Sequence, residues 1–191
     1  MAFHQSPGEH DGTDAQAVAL ARAGQERGHR ALLERHREPV FRFLRGLLGN
    51  EADALDVTQE TFVAAFLALH RYDPARPFRA WVLRIARNKS HDFARRRAVR
   101  RLFAFAQPID EARDVADPAA TPEEALAGEG EVARIHAAIA TLLDRLKEPL
   151  LLCALEGMSQ DEAAQVLGTS RKAVETRIYR ARQKLSQMLE G

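Results

Sequence analysis

The chain has little chemistry that could crosslink it or anchor it in a membrane. Its 191 residues include one cysteine, so no disulfide can form within a single chain. That residue, Cys153, lies in an apolar run and is predicted to be a small buried side chain. No run is apolar enough to span a bilayer, and residues 1–12 lack the apolar core of a signal peptide. A cytoplasmic globular protein is therefore expected.

The sequence also lacks the motifs of common catalytic sites. It has no glycine-rich phosphate loop, no nucleophile elbow and no alternation of strands and helices. His29 and His36 could share a helix face, but no third ligand follows at helical spacing. We therefore expect no enzyme activity, no metal or other cofactor and no small-molecule substrate.

The formal net charge of +1 conceals blocks of opposite sign. Residues 71–101 hold eleven Lys or Arg against Asp73 and Asp92 alone. Residues 107–131 hold eight acids against Arg113 alone, with three prolines interspersed. This composition indicates a linker between two helical units, and it favours a protein that contacts nucleic acid at two separate places.

The segment 157–185 is typical of a DNA-binding helix-turn-helix. Ser159 precedes Gln-Asp-Glu and can cap a short helix, which Gly168 can end in the left-handed conformation. After Thr169 and Ser170, apolar residues recur at helical spacing and leave the basic side chains for solvent or phosphate. The residues at the start of this second helix are the best placed for base edges.

The N-terminal unit is predicted to hold several amphipathic helices. The first is capped by Thr13 or Asp14, and a second extends over 25–36. Pro39 is expected to start a third helix that ends at Gly49. A further helix from Glu51 turns its apolar residues inward and leaves one polar face, made by Asp53, Asp56, Gln59 and Glu60.

A basic helix with aromatic side chains follows the break at 72–77. Trp81, Ile85 and Phe93 are interleaved there with arginines and Lys89. Aromatic faces stack on unpaired bases while cations follow the phosphate backbone, and a loop before such a helix can hold an extruded base. Trp81 and Phe78 also suit a hydrophobic core, and for Trp81 we prefer that interpretation.

Three blocks in this order carry a resemblance to a known family. They are DALDVTQETFVAAF at 53–66, FRAWVLRIARNKSHDFARRR at 78–97, and the helix-turn-helix with its ending VETRIYRARQKL at 174–185. Over about residues 14–189 the chain resembles a group 4, extracytoplasmic-function sigma factor of bacterial RNA polymerase. The resemblance implies an all-α fold of two small helical domains, sigma region 2 and sigma region 4, joined by an acidic flexible linker.

The same resemblance implies the domain boundaries. A disordered tail is expected at 1–12, region 2 at 13–101, the acidic linker at 102–130 and region 4 at 131–191. The linker is expected to act as a nucleic-acid mimic near the RNA path inside polymerase.

Region 2 of such factors has two tasks. Its first block docks on the clamp helices of the largest polymerase subunit, which implies core-polymerase contacts by Asp53, Asp56, Gln59 and Glu60. Its second block melts and reads the minus-10 element, with the loop 72–78 holding a flipped non-template base. The implied minus-10 residues are Tyr72, Arg76, Arg79, Arg84, Arg87, Asn88 and Lys89.

Region 4 of such factors reads the minus-35 element and meets the polymerase flap. The implied minus-35 residues are Ser170, Arg171, Lys172, Glu175, Thr176, Arg177 and Arg180. The chain is thus predicted to bind core polymerase and promoter DNA, to initiate transcription, and to be held by an anti-sigma factor. Two alternatives stay open: a sigma mimic that titrates an anti-sigma factor, and a helix-turn-helix regulator that binds duplex DNA alone.

Overall fold

The computed structural model describes residues 8–105 and 130–190. Eight α-helices occur there: α1 Gly8–Arg22, α2 Glu26–Leu48, α3 Glu51–Leu67, α4 Phe78–Phe105, α5 Gly130–Thr141, α6 Asp144–Leu150, α7 Gln160–Leu167 and α8 Arg171–Glu190. A short 3₁₀ turn, Leu69–Arg71, follows α3, and a π-helical turn, Leu151–Leu155, follows α6. No strand occurs in these two stretches, and the predicted all-α fold is confirmed. No helix within them is long and apolar enough to cross a bilayer.

The predicted N-terminal helices differ from the observed ones at Pro39. The two helices expected on either side of Pro39 are one continuous helix, α2, with the proline inside it. Leu32, Val40, Phe43 and Leu44 are all buried on α2, so one apolar stripe continues across Pro39. Burial of this stripe outweighs the backbone hydrogen bond that the proline cannot donate. The prediction that Pro39 starts a helix was therefore wrong.

Helix α1 begins within the stretch predicted as a tail. It starts at Gly8, so Asp14 is an interior residue of the helix and not its cap. The Asp14 carboxylate is buried and lies 2.9 Å from His36 Nε2 and 3.0 Å from Arg35 NH1. These contacts tie α1 to α2. The remainder of the predicted tail, 1–7, lies outside the described residues.

The backbones of α1 and α2 touch where the two helices cross. A Cβ atom added at Gly28 would lie 2.3 Å from the Ala21 nitrogen and 2.5 Å from the Ala17 oxygen. Both of those atoms belong to the backbone of α1, which cannot move aside as a flexible side chain can. Glycine is therefore the residue that permits this crossing.

Arg22, at the end of α1, holds the connection between α3 and α4. Its Nε and NH2 donate to the Leu69 carbonyl at 3.2 and 3.0 Å, and NH2 also donates to the Tyr72 carbonyl. The Leu69 carbonyl also accepts from the Tyr72 amide at 3.1 Å in the 3₁₀ turn, so Arg22 adds to the hydrogen bonds that hold this turn. The side chain of α1 thus fixes the start of the loop 72–77.

The C-terminal unit, predicted as region 4, contains the predicted helix-turn-helix. The Ser159 hydroxyl accepts from the Glu162 amide while the Glu162 carboxylate accepts from the Ser159 amide, which completes a capping box at the start of α7. Gly168 ends α7 with φ of 64°, in the left-handed region. The Ser159 cap and the Gly168 end of the helix were predicted and are confirmed. Val174, Ile178 and Ala181 of α8 are buried against α7 and the preceding helices.

The two helical units pack directly against each other. Their buried apolar residues form one continuous cluster, in which α2 and α4 meet α6, α7 and the π-helical turn. A Cβ added at Gly46 of α2 would lie 2.9 Å from both δ-carbons of Leu151. The predicted linker over 102–130 lies mostly outside the described residues, although α4 itself extends to Phe105. The predicted role of this linker near the RNA path therefore also lies outside the described residues.

The contacts of Asp14 with Arg35 and His36 predict that the folded chain loses stability in acid. Burial opposes ionisation of Asp14, but the hydrogen bond and charge of His36, together with Arg35, outweigh it and hold the carboxyl pKa below 3.8. A depressed folded-state pKa contributes stability that is present above the unfolded pKa and is lost as pH falls through the folded pKa. Asp14→Asn should therefore lower the urea midpoint of unfolding at about pH 7. Below about pH 4 the midpoints of the variant and the parent chain should lie closer together. Asp161→Asn, at an exposed position, is the control. If Asp14→Asn lowers the urea midpoint equally at both pH values, the expectation is contradicted.

Candidate nucleic-acid and protein interfaces

Three of the four predicted polymerase-binding residues line one groove. Asp56, Gln59 and Glu60 of α3 share it with Lys89 of α4. Asp53 is placed apart from it, one turn earlier, where its carboxylate lies 3.0 Å from Arg97 NH1 and its amide donates to Asn50 at the helix cap. The structure thus brings together Asp56, Gln59 and Glu60 but leaves Asp53 in a contact between α3 and α4.

The groove also has an apolar floor that the sequence prediction omitted. Val63, Ala64 and Leu67 line it, and the side chains of Val63 and Leu67 are 61% and 75% exposed. Exposed large apolar residues beside carboxylates are typical of a protein-binding site. The signal was present in the sequence, because both residues follow Gln59 and Glu60 at helical spacing. Glu60 itself is held by Arg96 NH2 at 3.1 Å and lies 4.0 Å from Lys89 Nζ.

The loop before α4 leads into an aromatic cluster. Tyr72 is buried against Phe78 and Trp81, with ring centroids 5.4 and 5.2 Å away, and its hydroxyl donates to the Arg76 carbonyl. Trp81 packs half-buried against the hydrophobic core, as the preferred interpretation predicted. Arg76 is exposed beside Asp73. In this arrangement the buried Tyr72 supports the loop 72–77 from the protein interior, and the Arg76 side chain is the cation at the surface of the loop.

The remaining predicted minus-10 residues lie on different faces of α4. Arg79, Arg84 and Arg87 face region 4; the NH2 of Arg84 would lie 3.5 Å from a Cβ at Gly168. Lys89 faces α3 and lines the groove that also holds Asp56, Gln59 and Glu60. Asn88 is exposed. The structure therefore does not gather the predicted set into one patch.

Two glutamates of region 4 meet the arginines of region 2. Glu156 accepts from Arg42 Nε and NH2 at 3.2 and 3.1 Å and from Arg79 NH2 at 2.8 Å. Glu148 accepts from Arg87 Nε at 2.9 Å, and its other oxygen lies 2.5 Å from His91 Nε2. Sequence reasoning missed both glutamates, because partners separated by 57 to 114 residues leave no local pattern.

The predicted minus-35 residues share one end of α8. Arg171, Lys172, Glu175, Thr176 and Arg180 are exposed, and Arg177 is half-buried. Ser170 caps the helix by accepting from the Ala173 amide at 3.2 Å, while Thr176 donates to the Lys172 carbonyl at 2.9 Å. Arg171 lies 3.5 Å from Asp161, but Lys172, Arg177 and Arg180 have no acidic partner among the described residues. Such unpaired cations on a recognition helix suit phosphate and base contacts.

Tyr179 is a further exposed residue on this face that the sequence prediction omitted. Its side chain is 62% exposed beside Arg180, and its hydroxyl accepts from Gln183 Nε2 at 3.0 Å. An aromatic ring amid basic residues could have been found by its position between Ile178 and Arg180 in the amphipathic pattern.

The structure gives no metal site in the parts of the chain that it describes. No group of three or more His, Cys, Asp or Glu there could hold an ion. His29 packs edge-on against Phe66, with ring centroids 4.8 Å apart, and His36 pairs with Asp14. Cys153 is half-buried, and burial raises the pKa of its thiol, which lowers its reactivity.

Comparisons with known protein families match both helical units. The family model for Sigma-70 region 2 matches residues 32–100, and the model for Sigma-70, region 4 matches residues 133–185. The chain is 42% identical over 177 residues to the RNA polymerase sigma factor CnrH of Cupriavidus metallidurans, covering 91% of this chain and 93% of that protein. It is 35% identical over 173 residues to the ECF RNA polymerase sigma factor SigD of Mycobacterium tuberculosis, covering 88% and 80%.

A solved structure agrees with the sequence matches. The chain superposes on CnrH, in its complex with the cytosolic domain of CnrY, with a TM-score of 0.68 and 38% sequence identity. The match covers 93% of this chain and 97% of that one.

Proposed function

The chain belongs to the extracytoplasmic-function (ECF) RNA polymerase sigma factors, and from this premise we propose which of its surfaces bind polymerase, promoter DNA and a regulator. It is an RNA polymerase sigma factor, which directs transcription initiation at promoters. We assign no catalytic residue to this chain, because RNA polymerase carries out the chemistry of RNA synthesis. Because its partners are RNA polymerase and promoter DNA, we propose that it acts in the cytoplasm.

The groove on α3 is the proposed binding site for core polymerase. It combines carboxylates that can pair with basic side chains and an exposed apolar floor that a partner can cover. Buried apolar contacts of this kind carry most of the binding energy of protein interfaces, while surrounding charges select the partner. Asp56, Gln59 and Glu60 are the proposed polar contacts, and Asp53 supports them through its pair with Arg97.

Promoter DNA is proposed to bind at two places. The N-terminal part of α8 enters the major groove of the minus-35 element, where Lys172, Glu175 and Arg180 are exposed for base edges and phosphates. The loop 72–77 and the exposed side of α4 capture unstacked bases of the minus-10 element, through Arg76, Arg84 and Asn88. Unstacking costs a few kcal/mol per base, which stacking and phosphate contacts must offset.

An anti-sigma factor is the proposed regulator. CnrH, which is 42% identical to this chain, has been solved in complex with the cytosolic domain of CnrY. The exposed Val63 and Leu67 give a protein of that kind an apolar surface to cover, and covering it would block polymerase. A regulator of this chemistry therefore competes with polymerase for the groove on α3.

One observation carries the proposal: a single chain presents both an apolar, acid-rimmed groove on α3 and an unpaired basic face on α8. Run-off transcription with purified core polymerase on a promoter library tests it. We expect specific start sites from the intact chain, a reduced yield from Gln59→Ala, and about tenfold less from Arg180→Ala, which loses a base or phosphate contact. Glu34→Ala and Gln187→Ala, at exposed positions away from both surfaces, are the controls.

Two binding measurements beside run-off transcription, of anti-sigma capture and of duplex binding without polymerase, identify the alternatives. A chain that supports no start site but captures an anti-sigma protein tightly is a mimic. One that binds duplex DNA stably without polymerase is a stand-alone regulator. Either result would overturn the proposed function.

A further inference from the structure

The polar part of the contact between the two regions is made by side chains of one sign on each side. Region 2 contributes Arg42 from α2 and Arg79, Arg87 and His91 from α4, which we call the donor surface. Region 4 contributes Glu148 and Glu156, whose side chains are 3% and 0% exposed. Each carboxylate is thus enclosed by nitrogen donors of region 2 and removed from water.

The donor surface matches an anionic polymer better than it matches two separate carboxylates. Arg79 and Arg87 are eight residues apart on one helix, which places them about 12 Å apart along its axis. About two to four backbone phosphates of a nucleic-acid strand lie within such a length, since each nucleotide adds about 3.4 Å or more. In the part of the chain that the structure describes, region 4 supplies two carboxylates over the same distance.

One donor on this surface is left without a partner among residues 8–105 and 130–190. The Nε of Arg79 is buried and meets no hydrogen-bond acceptor there, although its NH2 reaches both the carboxylate and the carbonyl of Glu156. A guanidinium binds best through two parallel hydrogen bonds, and a phosphate can accept both. The closed contact therefore leaves binding capacity in Arg79 that a phosphate would use.

We propose that the donor surface binds phosphates of the opened promoter strand, and that Glu148 and Glu156 occupy those phosphate positions in the free chain. Region 4 then masks region 2 until the two regions separate. This inference rests on the proposed role of α4 in promoter opening, and it adds Arg42 and His91 to the residues involved. Single-stranded DNA is the partner, and its phosphates compete with the glutamates.

The test measures binding of a single strand by the free chain, without polymerase. A fluorescein-labelled single-stranded oligothymidylate is titrated with the intact chain and with a Glu148→Gln and Glu156→Gln double variant, and anisotropy is recorded across a salt series. We expect about tenfold tighter binding by the double variant. Release of Arg42, Arg79 and Arg87 should also make the slope of log affinity against log salt steeper by about two.

The controls separate unmasking from a change in total charge. Glu26→Gln with Glu34→Gln removes two exposed carboxylates from α2, outside the contact, and should leave the affinity within about twofold. Adding Arg42→Gln to the double variant should cancel part of the gain. An unlabelled DNA duplex of the same length serves as a competitor. We expect it to compete less well than the unlabelled single strand does.

A second variant opens the contact without altering any charge. In Gly46→Leu, the new side chain takes the space of Leu151, whose δ-carbons lie 2.9 Å from a Cβ at position 46. It should separate the regions, raise the radius of gyration in small-angle scattering and increase oligothymidylate affinity as the double variant does. The measurements on Gly46→Leu decide the outcome if the glutamate variants fail to fold.

Two results would overturn the inference. The first is a chain that opens in scattering, through either route, and binds the single strand no better than the parent. The second is a gain in affinity that the charge-matched control reproduces. Neither result bears on the proposed function, because run-off transcription by the intact chain is measured separately.

Discussion

Replacing Leu67 with aspartate should weaken binding to core RNA polymerase by about thirtyfold, which corresponds to about 2 kcal/mol. Leu67 is 75% exposed on the floor of the groove on α3, so the substitution costs the free chain little. A partner that covers this floor would have to bury an unpaired carboxylate there. Affinity is measured by titrating labelled chain with core enzyme, and the loss should appear mainly as faster dissociation.

Val99→Asp provides the matched control for this prediction. Val99 is 49% exposed near the end of α4, away from the groove, and undergoes the same type of change. We expect its affinity to remain within about twofold of the parent. Equal losses from the two substitutions would show that the negative charge, and not the groove, disturbs binding. An unchanged affinity for Leu67→Asp would remove the groove from the polymerase interface.

Replacing Gly28 with valine should give the largest loss of stability, about 3 kcal/mol. The new Cβ would meet backbone atoms of Ala21 and Ala17 at 2.3 and 2.5 Å, so α1 must move away from α2. That movement also exposes Ala17, Val18 and Ala21, which are buried at the crossing. Thermal unfolding followed by circular dichroism should show a midpoint about 6–12 °C lower.

Ala19→Val is the control for the glycine substitution. Ala19 is exposed on α1, so the larger side chain extends into solvent. Only the small difference in helix propensity should remain, about half a kcal/mol. Gly28→Ala should fall between the parent and Gly28→Val. A Gly28→Val chain that melts like the control would show that the crossing tolerates a side chain.

The helix-turn-helix was predictable because its signals are local. Ser159 and Glu162 act on each other across one helical turn, and Gly168 acts through its own backbone angle. The spacing of Val174, Ile178 and Ala181 then determines which side of α8 faces the core and which side faces solvent. Exposure of the proposed minus-35 residues follows from the same periodicity. Local energetics therefore govern this part of the fold and its proposed interface.

Two other features depended on tertiary packing and could not be predicted in this way. Proline usually begins or ends a helix, yet burial of Val40 and Phe43 beyond Pro39 keeps α2 continuous. Of the donor surface, only Arg79 and Arg87 were predicted, as minus-10 contacts, and the acceptors Glu148 and Glu156 were missed because they lie far away in sequence. Charged residues in a sequence do not reveal which opposite charge they will meet.

Arg22 has a practical consequence for dividing this chain into parts. It lies in α1, before residue 32, where the match to the region 2 family model begins, yet it binds the carbonyls of Leu69 and Tyr72. A fragment cut at that boundary would lose both this tether and the whole crossing of α1 and α2 at Gly28. Chimeras that exchange promoter-opening modules between relatives should therefore be joined upstream of Gly8, so that each module keeps its own first helix.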